Sequence, residues 1–146
     1  MNDFEKALKF VMKWEGFISD NPYDSGGLTI WGISSRSHPD AVREMKKLID
    51  EGNKAEALKI AQDIYYHNYW LKADCDKLTY PLNIIQFDTA VNCGVSRANK
   101  LMIASLSWQE YLLNRIEFYT KLKDAKYFIR GWVNRVIDLY QLIKGS

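Results

Sequence analysis

The chain has 146 residues, of which 47% are apolar, and a formal net charge of +2. That length and apolar content suit a single domain with a core large enough to fold without disulfide staples. Lysine and arginine alternate with acids, as in Arg43-Glu44-Met45-Lys46-Lys47 and Lys54-Ala55-Glu56, the pattern of solvated helix faces and not of a nucleic-acid surface.

The two cysteines, Cys75 and Cys93, are expected to be free thiols. Neither they nor His38 and His67 have metal-ligand spacing, so no metal or cofactor is implied. Met1-Asn2-Asp3-Phe4-Glu5-Lys6 enters an amphipathic pattern directly, without an export signal or an apolar run of bilayer length. The expectation is a soluble chain made in the cytoplasm without a signal peptide.

Apolar residues at Phe4, Ala7, Leu8, Val11 and Met12 recur at helical spacing, and Asn2 with Glu5 three positions later forms a capping-box pattern. This first helix should end near Trp14-Glu15-Gly16. From Phe17 to Ser37, turn residues alternate with β-branched and aromatic ones, which predicts short strands, a small β-hairpin near the N-terminus.

Everything beyond reads as helix. Pro39 starts one that stops at Gly52, and Asn53 caps a longer one through Ala57, Ala61, Tyr65 and Trp70. Pro81 opens another, closed by Gly94; Ser96 caps a short helix through Leu101; Trp108 to Tyr119 forms the next; and Phe128 to Tyr140 the last, stopped by Gly145. The fold class is mainly α: one domain over 1–146, with a catalytic half at 1–92 and a C-terminal helical part at 93–146.

Glu15 ends the first helix; eight residues separate it from Asp24, and four more, Gly26-Gly27 among them, separate Asp24 from Thr29. A carboxyl at a helix carboxyl end, beside Trp14 and Phe17, meets unfavourable carbonyl dipoles and partial desolvation, which favour its protonated, proton-donating form. A tight glycine turn brings Asp24 and Thr29 to one side, where they can hold a water. That combination suits acid-assisted cleavage of a sugar bond. Each part also has an ordinary interpretation, a solvated helix end and a surface turn, and spacing alone does not choose between them.

The stretch Glu15-Gly16, Asn21-Pro22, Asp24, Gly26-Gly27, Thr29, Gly32-Ile33 resembles the signature of glycoside hydrolase family 108, phage and prophage N-acetylmuramidases of lysozyme-like helical fold. Later blocks follow in the same order: Tyr69-Trp70, then Phe87-Asp88-Thr89-Ala90-Val91-Asn92 with Gly94, then Gly131-Trp132-Val133-Asn134-Arg135. The chain departs from the family in carrying Phe17 where a second glycine is common and Ile18 where an aromatic is, and in having only Met102–Ser107 where many members carry a longer peptidoglycan-binding stretch. The Glu15, Asp24, Thr29 order is also similar to the Glu-Asp-Thr triad of small phage lysozymes, which place one more residue before the Thr.

The resemblance implies an endolysin, with a peptidoglycan-domain-like C-terminal half, that hydrolyses the β-1,4 bond between N-acetylmuramic acid and N-acetylglucosamine, with Glu15 as the acid. A monomer acting on the cell wall after release by a holin or a specialised export route is expected. Trp31, Asn92 and Tyr66 are candidate substrate contacts: Trp31 by stacking on a sugar face, Asn92 by bonding an acetamido group, Tyr66 from an aromatic-rich helix end. Asp88, Trp132 and Arg135 look structural. Two other classes stay open, a non-catalytic cell-wall-binding or secretion-accessory protein and a lytic transglycosylase.

Overall fold

The computed structural model describes residues 1–20 and 27–146. The described residues divide into two compact units, Leu8–Asn68 on one side and Met1–Ala7 with Tyr69–Ser146 on the other.

Helix α1 spans Asp3–Glu15. Its start is the capping box expected from sequence: Glu5 N donates to Asn2 Oδ1 at 2.8 Å while Asn2 N donates to Glu5 Oε2 at 3.0 Å. Its end is Gly16, whose φ of +74° lets the chain leave the helix in the left-handed region, with Gly16 N still donating to Met12 O.

In the Leu8–Asn68 unit the chain next forms strands β1 (Ile18–Asp20), β2 (Leu28–Ile30) and β3 (Ile33–Ser34). They make a three-stranded antiparallel sheet in the order β1-β2-β3, pairing Ile18 with Ile30, Ser19 with Thr29, Asp20 with Leu28, Thr29 with Ser34, and Ile30 with Ile33. The expected hairpin thus gains a third strand. Helices α2 (Pro39–Asp50) and α3 (Lys54–Tyr65) pack on each other, and α2 also lies on β2 and β3. Val42 and Met45 of α2 and Ala57 and Ala61 of α3 are buried, the small alanines leaving room for close helix approach.

Two local expectations are corrected here. Asn53 precedes α3 but makes no side-chain cap. The helix through Trp70 does not continue as α-helix: Tyr66–Leu71 is a π-helical segment, a wider turn that follows Tyr65.

In the other unit, Phe4 from the start of α1 meets Trp70 and Phe87 edge to face, with ring centroids 5.3 to 5.7 Å apart. Asp3 accepts from Asn83 Nδ2 at 2.9 Å. Helix α4 (Leu82–Cys93) is buried at every position from Asn83 to Ala90. A helix buried all round is a central helix, and α5 (Val95–Ala104) and α6 (Trp108–Thr120) pack on it. Helix α7 (Ala125–Lys144) packs on α6. Ser107 caps α6, accepting from Glu110 N at 3.1 Å. Ser96, expected to cap α5, instead lies inside it, because the helix begins one residue earlier, after Gly94.

The polar side chains that α4 buries have partners. Tyr111 donates to Gln86 Oε1 at 2.6 Å, and Gln86 Nε2 donates to Asn99 Oδ1 at 2.9 Å and to Ala73 O. Asp88 is held by two arginines, described below.

Candidate active site

Glu15 is half-buried at the carboxyl end of α1, where the chain reverses through Gly16. What fixes its surroundings is the β2-β3 turn. Ile30 and Ile33 pair directly, so Trp31 and Gly32 are the whole loop, and both have positive φ, +48° and +80°. Two consecutive left-handed residues make the primed two-residue turn that matches strand twist.

Gly32 tolerates that conformation; Trp31 is strained by it, by about 1–2 kcal/mol. The strain is held by specific contacts. Tyr65 Oη donates to Trp31 O at 2.6 Å in a buried bond. Trp31 N donates to Phe17 O at 2.5 Å, and the two rings lie 4.8 Å apart. Lys54 Nζ sits 4.2 Å over the other aromatic of that pair, Phe17. Phe17, the departure from the family pattern, is therefore the residue on which Trp31 packs.

The turn brings Gly32 onto the acid. A Cβ on Gly32 would stand 2.9 Å from both Cβ and Cγ of Glu15 and 2.7 Å from Tyr65 Oη. Glu15, Gly32 and Tyr65 therefore touch at one point, reached from α1, the β2-β3 turn and the end of α3. Any side chain at position 32 would push the glutamate from its place.

Of the residues expected in the site, Thr29 lies in the middle of β2, half-buried, its Oγ1 donating to Ser19 O at 3.3 Å. Asp24 lies outside the described residues. Tyr66 is exposed at 37% and sets its ring edge-on to His67, 5.3 Å away. Trp31 is 7% exposed, with its ring 4.8 Å from that of Phe17 and its backbone forming the turn. Gly32 and Tyr65, which pack at Glu15, were not among the residues expected beside it. Gly32 stood inside a recognised motif, but nothing in the sequence pairs it with Glu15.

Asn92 belongs to the other unit, at the carboxyl end of α4, in a polar cluster of its own. Asp88 is 1% exposed and faces two guanidiniums. Arg135 on α7 donates from Nη2 at 2.8 Å and Nε at 3.1 Å to Asp88 Oδ1, and Arg115 Nη2 on α6 forms an ion pair with Oδ2 at 2.7 Å. Burial alone would raise the Asp88 carboxyl; the two arginines outweigh it and hold the group below its usual range.

Arg115, fully buried, reaches further. Its Nη1 donates to Thr89 Oγ1 at 3.1 Å and its Nε to Tyr119 Oη at 2.9 Å. Tyr119 Oη in turn bonds Asn92 Oδ1. Burial pushes the Tyr119 phenol up despite the nearby guanidinium, so it keeps its proton. Trp132 stacks on the Tyr119 ring at 5.0 Å. The structural expectations for Asp88 and Arg135 match this pairing, and Arg115 and Tyr119 are additions.

The family model of Glycosyl hydrolase 108 matches residues 8–94, more than half of the chain. The chain belongs to this family: it is a glycoside hydrolase that acts on peptidoglycan. The solved structure of SagA from Brucella abortus is similar, with 25% sequence identity and a TM-score of 0.75 over 97% of this chain and 94% of that one. The fold is accordingly lysozyme-like, mainly helical with a small antiparallel sheet. No curated protein matches the chain in sequence.

Among the described residues, no helix is long and apolar enough to cross a membrane. Both cysteines are free.

Proposed function

We propose that this protein is an N-acetylmuramidase in which Glu15 is the general acid, protonating the oxygen of the β-1,4 bond between N-acetylmuramic acid and N-acetylglucosamine. The observation that supports Glu15 most directly is its seat: a carboxyl at a helix end, held half-buried against Gly32 and Tyr65. A general acid needs its carboxyl held close to productive geometry, since small displacements cost rate steeply. A glutamate that is merely solvated needs no such packing.

In this mechanism Asp24, helped by the Thr29 hydroxyl, positions water or stabilises the oxocarbenium-like centre. Direct activation of water by Asp24 inverts the anomeric configuration, whereas attack by its carboxylate retains it. Asn92 and Tyr66 contribute substrate contacts. The biological role is that of a phage or prophage endolysin working as a monomer, released to the wall by a holin or a specialised export route.

The test is digestion of purified peptidoglycan by wild type and Glu15→Gln, with mass spectrometry of the borohydride-reduced soluble fragments. Muropeptides ending in reduced N-acetylmuramic acid from the wild type alone are expected. Anhydro-ended products would make it a lytic transglycosylase, and undiminished release by Glu15→Gln would remove Glu15 from the mechanism.

A further inference from the structure

The polarity of the hydrogen bonds around Asn92 runs in one direction. Arginine has donors and no acceptor, so Arg115 Nε can only give a hydrogen to Tyr119 Oη. With its oxygen accepting from Arg115, Tyr119 has one hydrogen to give, and the oxygen in reach is Asn92 Oδ1, with the weaker partner Cys93 Sγ at 3.6 Å. Cys93 Sγ approaches the same oxygen at 3.5 Å. The carbonyl end of the Asn92 amide is thereby occupied from inside the fold.

The other end is open. Asn92 is half-buried, and its Nδ2 has no partner among the described residues, nor is it one of the buried atoms lacking one, so it reaches solvent. An asparagine free to rotate presents either an acceptor or a donor; this one presents an N–H donor only. We infer that Tyr119 and Arg115 are positioning residues that lock Asn92 as a hydrogen-bond donor, so that position 92 reads an acceptor on the glycan, the carbonyl oxygen of an N-acetyl group.

The inference rests on Asn92 touching the wall glycan, as proposed above, and it adds which substrate atom is read and what sets the choice. It predicts discrimination against de-N-acetylated sugar. Loss of the acetyl group removes the acceptor and leaves an ammonium, a donor facing a donor. The two positioning residues lie on α6, beyond the residues matched by the family model.

The decisive variant is Asn92→Asp, which keeps an acceptor for Tyr119 but turns an acceptor outward. Wild type and variant are titrated with tri-N-acetylchitotriose and with its fully de-N-acetylated counterpart, following the Asn92 side-chain amide signals of the wild type by NMR and the affinities of both proteins by calorimetry. The wild type should favour the acetylated trisaccharide, and Asn92→Asp should lose about five- to tenfold on it, the scale of one hydrogen bond, while gaining on the free amine. Tyr119→Phe should weaken binding of the acetylated sugar in the wild-type background and add nothing to Asn92→Ala.

Equal weakening of both sugars by Asn92→Asp, or full additivity of Tyr119→Phe with Asn92→Ala, overturns the inference. So does digestion of peptidoglycan by a wild type whose Asn92 signals stay still on titration, an outcome that leaves the muramidase mechanism intact. A shift of those signals and a reversed preference in a protein that releases no muropeptides supports the inference and removes the muramidase mechanism instead.

Discussion

Gly32 rests on the side chain of Glu15, close enough that a single added methyl group would come within 2.9 Å of two of its carbons. The glycine is required twice at this position, by its φ of +80° and by the space the glutamate occupies. Glu15 is thus seated by a residue that has no chemistry of its own.

Gly32→Ala should therefore reduce activity far more than stability. The left-handed backbone costs about 1–2 kcal/mol for a residue with a Cβ. Displacement of Glu15 by a fraction of an ångström should cost on the order of tenfold to a hundredfold in kcat/KM. Turnover of purified peptidoglycan beside a thermal melt separates the two effects; a variant that is destabilised yet fully active would contradict the seating of Glu15.

Tyr65→Phe should be felt through the turn. Removing the hydroxyl leaves the Trp31 carbonyl oxygen buried without that donor and withdraws a contact that holds a strained residue. A loss of about 1–3 kcal/mol is expected. Urea unfolding of the variant is the check.

Asp88 should make the protein acid-sensitive. Its carboxyl is lower in the folded chain than in the unfolded one, so between the two values the unfolded chain binds more protons and stability rises with pH. The contribution is complete above the ordinary carboxyl range, about pH 4, and is lost as pH falls through the folded value. Unfolding free energies measured from pH 6 down to pH 3 should fall across the lower part of that range.

Within the same cluster, the order of effects follows from charge. Asp88→Asn leaves two buried guanidiniums with no anion between them and should cost about 3–5 kcal/mol. Arg135→Met leaves Asp88 and Arg115 as a balanced pair and should cost less. Denaturant midpoints of the two variants test the order, and a reversed order would refute the account.

Cys75 should be silent toward thiol reagents. Burial, with Asp76 and Asp74 adding to it, pushes its thiol up to about 12. Cys93 is raised as well, chiefly by burial. At pH 8 the folded protein should react slowly with a disulfide reagent, and two thiols per chain should appear on unfolding.

Local chemistry was the legible part of this chain. The Asn2–Glu5 capping box joins residues three apart and was readable as a pair. Gly16, Gly52 and Gly94 end their helices where the pattern placed them. Asn53 and Ser96 misled because a capping residue type states a preference that the neighbouring backbone need not use. The turn at Trp31 was not legible for a stronger reason: tryptophan is a poor left-handed residue, so its place in a two-residue turn is imposed by Phe17 and Tyr65. The π-helical turn at Tyr66–Leu71 was invisible to a periodicity that serves either kind of turn over so short a run.

Glu15 was singled out through spacing and family pattern, but its packing was not. Glu15, Gly32 and Tyr65 come from three separate elements, and only the folded chain shows them touching. The same holds for Arg115, whose partners Thr89 and Asp88 lie on another helix.

The pairing of Asp88 with Arg135, separated by 47 residues, also bears on how the protein is made. A ribosome delivers α4 well before the last helix, so the nascent α4 carries a carboxylate whose second counter-charge has yet to be synthesised. The charge balance around Asp88 is completed only when Arg135 of α7 emerges. A message truncated after the stretch that carries the family signature should therefore yield a chain for proteases to clear, not a smaller enzyme.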